Sequence, residues 1–288
     1  MNALQNVELK LYKEFKKICD RHDFIFFAIG GTCIGAVRHK GFIPWDDDID
    51  VAMPIEDYKK FIEIAKDELP EEIELYLIEE HPHWYRNFIK IHDSTTTFAE
   101  ADSRDHLDRY TGVYMDIMPV YGMPKGKIRQ IAKSYLNDYY QYMNRRQRIP
   151  YTNNRHFIDY ITKIIRLVHG KNREKLTLYN ELIDRSFGKY SFSNSDKVLF
   201  GWRDRIDNSH LAFSYKTLFD FKDFASTVEI PFEDTVMRIP VGYDHYLTTE
   251  FGDYMKLPPE EKRITHNTAI VDLNTPYKEY IKNYQKKR

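Results

Sequence analysis

The run Pro44-Trp45-Asp46-Asp47-Asp48-Ile49-Asp50 sets four carboxylates within five positions. In extended chain, a side-chain period of two puts Asp46, Asp48 and Asp50 on one face and turns Asp47 away. Three like charges on one face repel unless a cation lies between them. Ligation by carboxylates alone favours Mg²⁺ or Mn²⁺ over Zn²⁺. An EF-hand is excluded: Val51 stands where that loop needs glycine, and Asp57 where it needs a bidentate glutamate. An Asp-x-Asp glycosyltransferase would bind its nucleotide on several strand and helix units ahead of the pair, and here only one strand and one short helix precede Asp48. A solvated acidic loop is the remaining alternative.

Upstream stands Gly30-Gly31-Thr32. Glycines let backbone N–H groups approach a phosphate, and a following helix N-terminus adds its positive end. Phosphate donors opposite a cation site make a pocket for a nucleoside diphosphate. Arg38 and Lys40 are placed to contact phosphate or to form a salt bridge with the acids. Asp116, in Tyr-Met-Asp-Ile-Met-Pro, is an acid among apolar residues, costly to bury unless paired or metal-bound. It is the candidate third carboxylate of a metal site that clamps attacking and leaving oxygens. Lys90, in Phe-Ile-Lys-Ile, either points into this region or faces solvent.

These residues must be held by a mixed α/β (α+β) scaffold. Leu4, Val7, Leu11, Phe15 and Ile18 recur at helical spacing and predict an amphipathic helix over 3–21. Phe24–Ile29 reads as a buried strand that Gly30-Gly31 ends in a tight turn, with a short helix through Arg38. Ile49–Met53 reads as a strand and Pro54 opens a helix to about Glu68, with Glu56 and Asp57 in its first turn. Ile73–Ile78, Asn87–Ile91 and Gly112–Met118 are predicted strands, the last closed by Pro119. Gly126–Arg148 and His156–Gly188 are helical and basic. Val228–Pro240 reads as a hairpin around Glu233-Asp234, followed by a short helix to Phe251. This divides the chain into a core over 1–122, a basic, mainly helical subdomain over 123–215, and a C-terminal hairpin and helices over 216–288 that pack back on the core.

The chain has 288 residues, with 43 Lys and Arg against 44 Asp and Glu, a formal charge of −1. That balance conceals two opposed fields. Pro44–Glu80 carries 14 acidic and 3 basic residues, whereas Met123–Lys175 carries 13 basic and 3 acidic. Such asymmetry suggests a cation-binding region beside an anion-binding one. The basic half suits an anionic, lipid-linked acceptor at a membrane face; basic helices with interleaved Tyr would also suit nucleic acid. Two cysteines, Cys19 and Cys33, are too few for a disulfide framework and read as buried thiols in a reducing compartment. The longest uncharged run, Phe24–Val37, is 14 residues, short of the ~18 of a membrane span. With no signal-peptide pattern at the N-terminus, the expectation is a cytoplasmic protein.

Ile29-Gly30-Gly31-Thr32, then Gly35-Ala36-Val37-Arg38-His39-Lys40-Gly41-Phe42-Ile43-Pro44-Trp45 and the aspartates through Asp50, closely resemble the signature of the LicD family. These are bacterial phosphocholine (diphosphonucleoside choline) transferases related to the fukutin-type ribitol-phosphate transferases. The resemblance extends to Tyr114–Pro119, to Ile239-Pro240, to Phe251–Met255 and to Leu257–Arg263. It implies a nucleotidyltransferase-like core, a mixed sheet flanked by helices, with Gly30, Gly31 and Thr32 at the phosphates. It also implies Mg²⁺ or Mn²⁺ on Asp48, Asp50 and Asp116, with Asp46 as an extra ligand or an acid behind the ligands. His266 resembles a family position and is a candidate substrate contact. The implied reaction moves phosphocholine from CDP-choline to a sugar hydroxyl of a teichoic acid or lipopolysaccharide precursor and releases CMP. Another CDP-activated phospho-alditol, nucleotidyl transfer, or a catalytically silent module are the alternatives. The implied partners are a CDP-activated donor and a lipid-linked glycan acceptor, with peripheral contact at the inner membrane face and no nucleic acid.

Overall fold

The computed structural model describes residues 1–77, 80, 86–101, 106–148, 178–201, 218–265 and 268–286. Helix α1 (Ala3–Arg21) starts at a capping box: Gln5 N–H donates to Asn2 Oδ1 at 2.9 Å, and Asn2 N–H returns a bond to Gln5 Oε1 at 3.1 Å. Its predicted stripe is divided between two cores. Leu11, Phe15 and Ile18 enter the main core, where Phe15 meets Phe26 and Phe61 edge-on at 4.9 and 5.1 Å. Leu4 and Val7 pack against a smaller cluster of Phe98, Val113 and Tyr114.

The predicted strand over 24–29 shortens to β1 (Phe27–Ala28), paired antiparallel with Val51 and Ala52. The glycine pair does not make a separate turn. It forms the first turn of α2 (Gly30–His39), with Gly30 at φ +54, a conformation that favours glycine. Strand β2 (Asp50–Pro54) runs into α3 (Ile55–Glu68), capped at Pro54 as expected. Asp57 Oδ2 accepts a bond from Ile25 N–H at 3.0 Å, and Glu56 Oε1 one from Phe192 N–H at 3.1 Å. The acids of the first turn therefore hold neighbouring loops as well as favouring the helix dipole.

Strands β3 (Ile73–Tyr76), β4 (Ile89–Glu100) and β5 (Thr111–Gly122) complete the centre of the sheet. Its path runs β1-β2-β5-β4, with β3 also on β4. β2 and β5 are parallel and the other central pairs antiparallel. Both long strands outrun their predicted lengths. In β4 the polar run Asp93–Thr97 is a bulge within the strand: Asp93 pairs with Val113, and the next pair is Phe98 with Thr111. Gly112 lies opposite that bulge, where an added side-chain carbon would stand 1.7 Å from the Asp93 carbonyl oxygen. Gly112→Ala is expected to destabilise the protein by about 1–3 kcal/mol or more, read by urea denaturation; unchanged stability would contradict the bulge geometry.

Pro119 continues β5 rather than closing it. Its missing N–H is tolerated because β4 pairs no further than Ile89 with Ile117, and β6 (Lys197–Phe200) takes over from Val120. β7 (Phe219–Asp220) extends the sheet beyond β6.

Beyond β5, α4 (Lys127–Arg148) forms as predicted and packs on α5 (Leu178–Phe187). The rest of the predicted basic helical region, 149–177 and 202–215, lies outside the described residues. The predicted hairpin is β8 (Thr227–Phe232) and β9 (Thr235–Pro240), turning at Glu233. It clamps the chain after α2: Glu233 N–H donates to Lys40 O, and Phe42 N–H to Glu233 Oε1 at 3.0 Å. α6 (Tyr243–Phe251), β10 (Thr268–Asp272), which pairs with the far half of β4, and α7 (Tyr277–Lys286) follow. Cys19 and Cys33 are buried free thiols. No helix among the described residues is long and apolar enough to cross a membrane.

Candidate functional site

The acids gather where α2, β2 and β5 meet. Asp50, first residue of β2, pairs in parallel register with Asp116 in the middle of β5. The junction is pinned from several sides. Ile29 N–H donates to Asp50 O at 3.1 Å and Asp116 N–H to Ile49 O at 2.8 Å. Thr32 Oγ1 accepts the Asp50 N–H at 2.8 Å. Buried Thr32 thus ties the glycine turn to the acid strand, a structural use of a residue expected at phosphate. From α1, Gln5 Nε2 donates to the carbonyls of Ile43 and Asp46, both at 3.1 Å.

The strand begins only at Asp50, so period-two alternation does not govern the three aspartates before it. Asp46, Asp47 and Asp48 can each bring a carboxylate oxygen within 4.8 Å of the others. Asp47 therefore faces inward, contrary to the expectation, and accepts a hydrogen bond from Thr268 Oγ1 on β10. Asp46, Asp47 and Asp116 are buried, while Asp48 and Asp50 keep partial exposure at the open side. Gly30 and Gly31 are half-buried and adjoin them: a side-chain carbon on Gly31 would meet Asp46 Oδ2 at 2.6 Å, and one on Gly30 would lie 3.5 Å from Asp50 Oδ2.

Electrostatics follow from this crowding. Burial first, then the charges of Asp50, Asp46, Asp116 and Asp47, hold the Asp48 carboxyl well above the usual range. Burial pushes Asp116 up to about 6 against the pull of Lys90 and Arg86. Burial would raise Glu100 too, yet Arg86 and Lys90 draw it down to about 2. Lys90 is almost wholly buried, its Nζ 2.9 Å from Glu100 Oε1 and 2.9 Å from Asp116 Oδ1, and 3.1 Å from the Tyr114 ring centre. The Asp116 contact is close in distance but outside hydrogen-bond alignment. Lys90 thus reaches the site, where its ammonium braces Asp116.

Arg38 turns its Nη1 to the backbone carbonyls of the 254–256 segment. Its Nη1 donates to Tyr254 O at 2.6 Å, and the charges acting on it are those of Arg263 and Asp46. Arg263 lies over the Trp45 ring at 5.5 Å. Two guanidinium groups therefore flank the acid segment, and Arg263 was not singled out from the sequence because only the fold brings residues 254–263 to α2. Lys40 ends α2 in a left-handed conformation with its side chain exposed. His266 lies outside the described residues. Tyr246 was also missed: its hydroxyl accepts the Gly30 N–H at 3.0 Å from a helix more than 200 residues away in sequence. Beside it, Asp220, Asp223 and His245 form a second cluster, but His245 bonds Asp223 at 2.6 Å and Lys197 bonds Asp220 at 2.8 Å, so these acids are already compensated.

The donor set of the acid site is all oxygen, which fits Mg²⁺ or Mn²⁺. One consequence concerns pH. Asp116, Asp48 and Glu8 have folded-state pKa values above their unfolded ones, so they contribute stability that is full below about pH 4 and lost as pH rises through about 6 for Asp116. Glu100 acts oppositely, its contribution lost only as pH falls toward about 2. In chelator, Tm is expected to fall between pH 5 and 7, and Mg²⁺ to restore more of it at pH 7.5 than at pH 5; a Tm rising across that window with chelator present would contradict it.

Residues 24–153 match the family model described as LicD/FKTN/FKRP, nucleotidyltransferase domain, which takes in the glycine turn, the acids and β5. The lipopolysaccharide cholinephosphotransferase LicD of Haemophilus influenzae is 28% identical over 273 residues, covering 91% of this chain and 94% of that protein. Uncharacterized proteins of Rickettsia typhi and Rickettsia prowazekii are 36% and 38% identical over 55 and 48 residues, 19% and 17% of this chain and 18% of each of theirs. The family model thus spans the site, and the similarity to the Haemophilus LicD protein runs along nearly the whole length of both chains.

Proposed function

We propose that the protein transfers phosphocholine from CDP-choline to a sugar hydroxyl of a cell-surface glycan precursor, with Mg²⁺ or Mn²⁺ held by Asp48, Asp50 and Asp116. The observation that carries this reading is the register of Asp50 beside Asp116, with Gly30 next to Asp50 and with Gly31 and Arg38 next to Asp46. The similar Haemophilus protein is named a lipopolysaccharide cholinephosphotransferase, which supports the choice of transferred group.

A divalent cation bound there would neutralise the donor's diphosphate as CMP departs. The chain's own part is positioning and charge. Gly30 and Gly31 admit a phosphate close to the start of α2, whose N-terminus favours negative charge. Arg38 and Arg263 add positive charge beside Asp46 and Trp45. Asp116, poised near neutrality by burial and braced by Lys90, accepts the proton of the attacking hydroxyl. Asp46 and Asp47 stand behind the exposed pair and sustain its field.

The basic half supplies the second surface. Lys125, Arg129 and Lys189 line a cavity of about 270 Å³ together with Tyr190, Ser191 and Ser195. Such a cavity suits the phosphate of a lipid-linked acceptor, and with it peripheral contact at the inner membrane face. The test is incubation of the full chain with Mg²⁺ and, separately, CDP-choline, CDP-glycerol, CDP-ribitol or nucleoside triphosphates, with a glycan acceptor, scoring nucleotide release. CMP release from CDP-choline alone is the expected result. Release only from a CDP-alditol would move the reading to a phospho-alditol, and no release from any donor would overturn it.

A further inference from the structure

Helix α4 carries its two faces the wrong way round for a helix in water. Gln130, Ser134, Asn137, Gln141 and Asn144 recur at spacings of 4, 3, 4 and 3 and form one stripe, and all five are buried. The Ser134 hydroxyl and both polar atoms of the Asn137 amide have no hydrogen-bond partner among the described residues. Ile128, Ala132, Tyr135 and Tyr139 repeat at the same interval and lie at the surface: Ile128 is 84% exposed, Tyr139 43% and Tyr135 36%. At about 100° per residue, the two stripes stand roughly 180° apart on the helix. A surface helix that meets water buries its apolar stripe and exposes the polar one. The reversed orientation is held by contacts on the inner side, where Gln141 Nε2 donates to Gly201 O at 2.7 Å and Lys133 Nζ to Ser186 O at 3.2 Å. The outer stripe therefore suits an apolar medium.

Charge decides which medium. Residues 123–148 carry seven Lys and Arg against one acid, Asp138. Lys125, Lys127 and Arg129 are exposed around Ile128. An apolar stripe with tyrosines, flanked by Lys and Arg, is the pattern of a helix that lies in the plane of an anionic bilayer with its apolar side at the headgroup boundary. We propose that α4 docks on an anionic lipid surface, with Ile128, Ala132, Tyr135 and Tyr139 at the acyl boundary and Lys125, Lys127 and Arg129 on the headgroup phosphates. This deepens the acceptor side of the function proposed above and rests on its lipid-linked acceptor. Lys125 and Arg129 also line the cavity proposed for the acceptor's phosphate, so docking of α4 turns that cavity toward the surface in which the acceptor is anchored.

The test is co-sedimentation of the full chain with vesicles of phosphatidylglycerol and phosphatidylcholine, against vesicles of phosphatidylcholine alone. The wild-type chain is expected to bind the anionic vesicles and to leave them as salt rises. Ile128→Ser combined with Tyr139→Ser is expected to weaken that binding about 10–100-fold at an unchanged Tm, because both side chains are exposed. Ile128→Trp is expected to bind more tightly than wild type, with a blue shift of the added indole fluorescence on anionic vesicles. Wild-type affinity in the double variant, no shift in Ile128→Trp, equal binding to neutral vesicles, or no binding to either would each overturn the proposal. So would binding to RNA in place of vesicles, or a wild-type dimer that the double variant turns into a monomer without any vesicle binding. Vesicle binding lost in the double variant, with no CMP release by the wild-type chain from any donor, would support the lipid surface and overturn the transferase reading alone.

Discussion

Asp48→Asn is expected to lower CMP release from CDP-choline by about 10³-fold or more, the scale on which removing a preorganised electrostatic contact acts. Asp48 is the acid on which Asp50, Asp46, Asp116 and Asp47 all act, and it keeps partial exposure toward the open side. The amide preserves volume and removes the charge that a bound cation needs. The same substitution relieves repulsion, so Tm in chelator at pH 7.5 is expected to rise or hold. That opposite movement of activity and stability separates a functional acid from a structural one. Near-wild-type release, or a large drop in Tm with chelator present, would count against the assignment.

The second large effect is on folding. Lys90→Met is expected to cost about 3–5 kcal/mol in urea denaturation, because it breaks a buried ion cluster from the middle. Lys90 Nζ stands 2.9 Å from both Glu100 and Asp116 and over the Tyr114 ring. Without it, Glu100 retains Arg86, at 2.8 Å, whereas Asp116 loses the closest positive charge that opposes its burial. The Asp116 carboxyl would then titrate higher, and the pH profile of any remaining activity should shift upward with it. Adding Glu100→Gln should recover part of the stability, since one of the two stranded acids is then neutral. A loss below about 1 kcal/mol would place Lys90 among ordinary surface lysines, which its burial contradicts.

Much of this arrangement was legible in the residues. The helical stripe of α1, Pro54 at a strand-to-helix junction and the hairpin at Glu233-Asp234 all rest on local rules, and the structure carries each of them. Four acids in five positions marked a candidate cation site, and an acid among apolar residues singled out Asp116, which the fold sets beside Asp50. Where local rules misled, a distant partner was responsible. Pro119 reads as a terminator, yet it continues β5 because the neighbouring strands change beside it. The strand read over Asn87–Ile91 runs on to Glu100, because Gly112 opposite gives the polar run Asp93–Thr97 room to bulge. Asp47 reads as turned away, yet the strand starts three residues later and Thr268 meets it inside.

Residue types alone pointed to the chemistry on offer: oxygen donors suited to a hard cation, a glycine pair suited to phosphate, and acidic and basic segments of opposite field. Periodicity and side-chain type are local properties, and they survive in any fold that buries the apolar face. Only the tertiary structure decided which charges share a space. Asp50 lies beside Asp116, Lys90 between Asp116 and Glu100, and Arg263 near Arg38, through strand register and helix docking across 10 to 225 positions of chain. Those pairings set how strongly each carboxylate is held charged or neutral, because in a buried site the energy of a charge depends on its neighbours in space, whatever their distance along the chain.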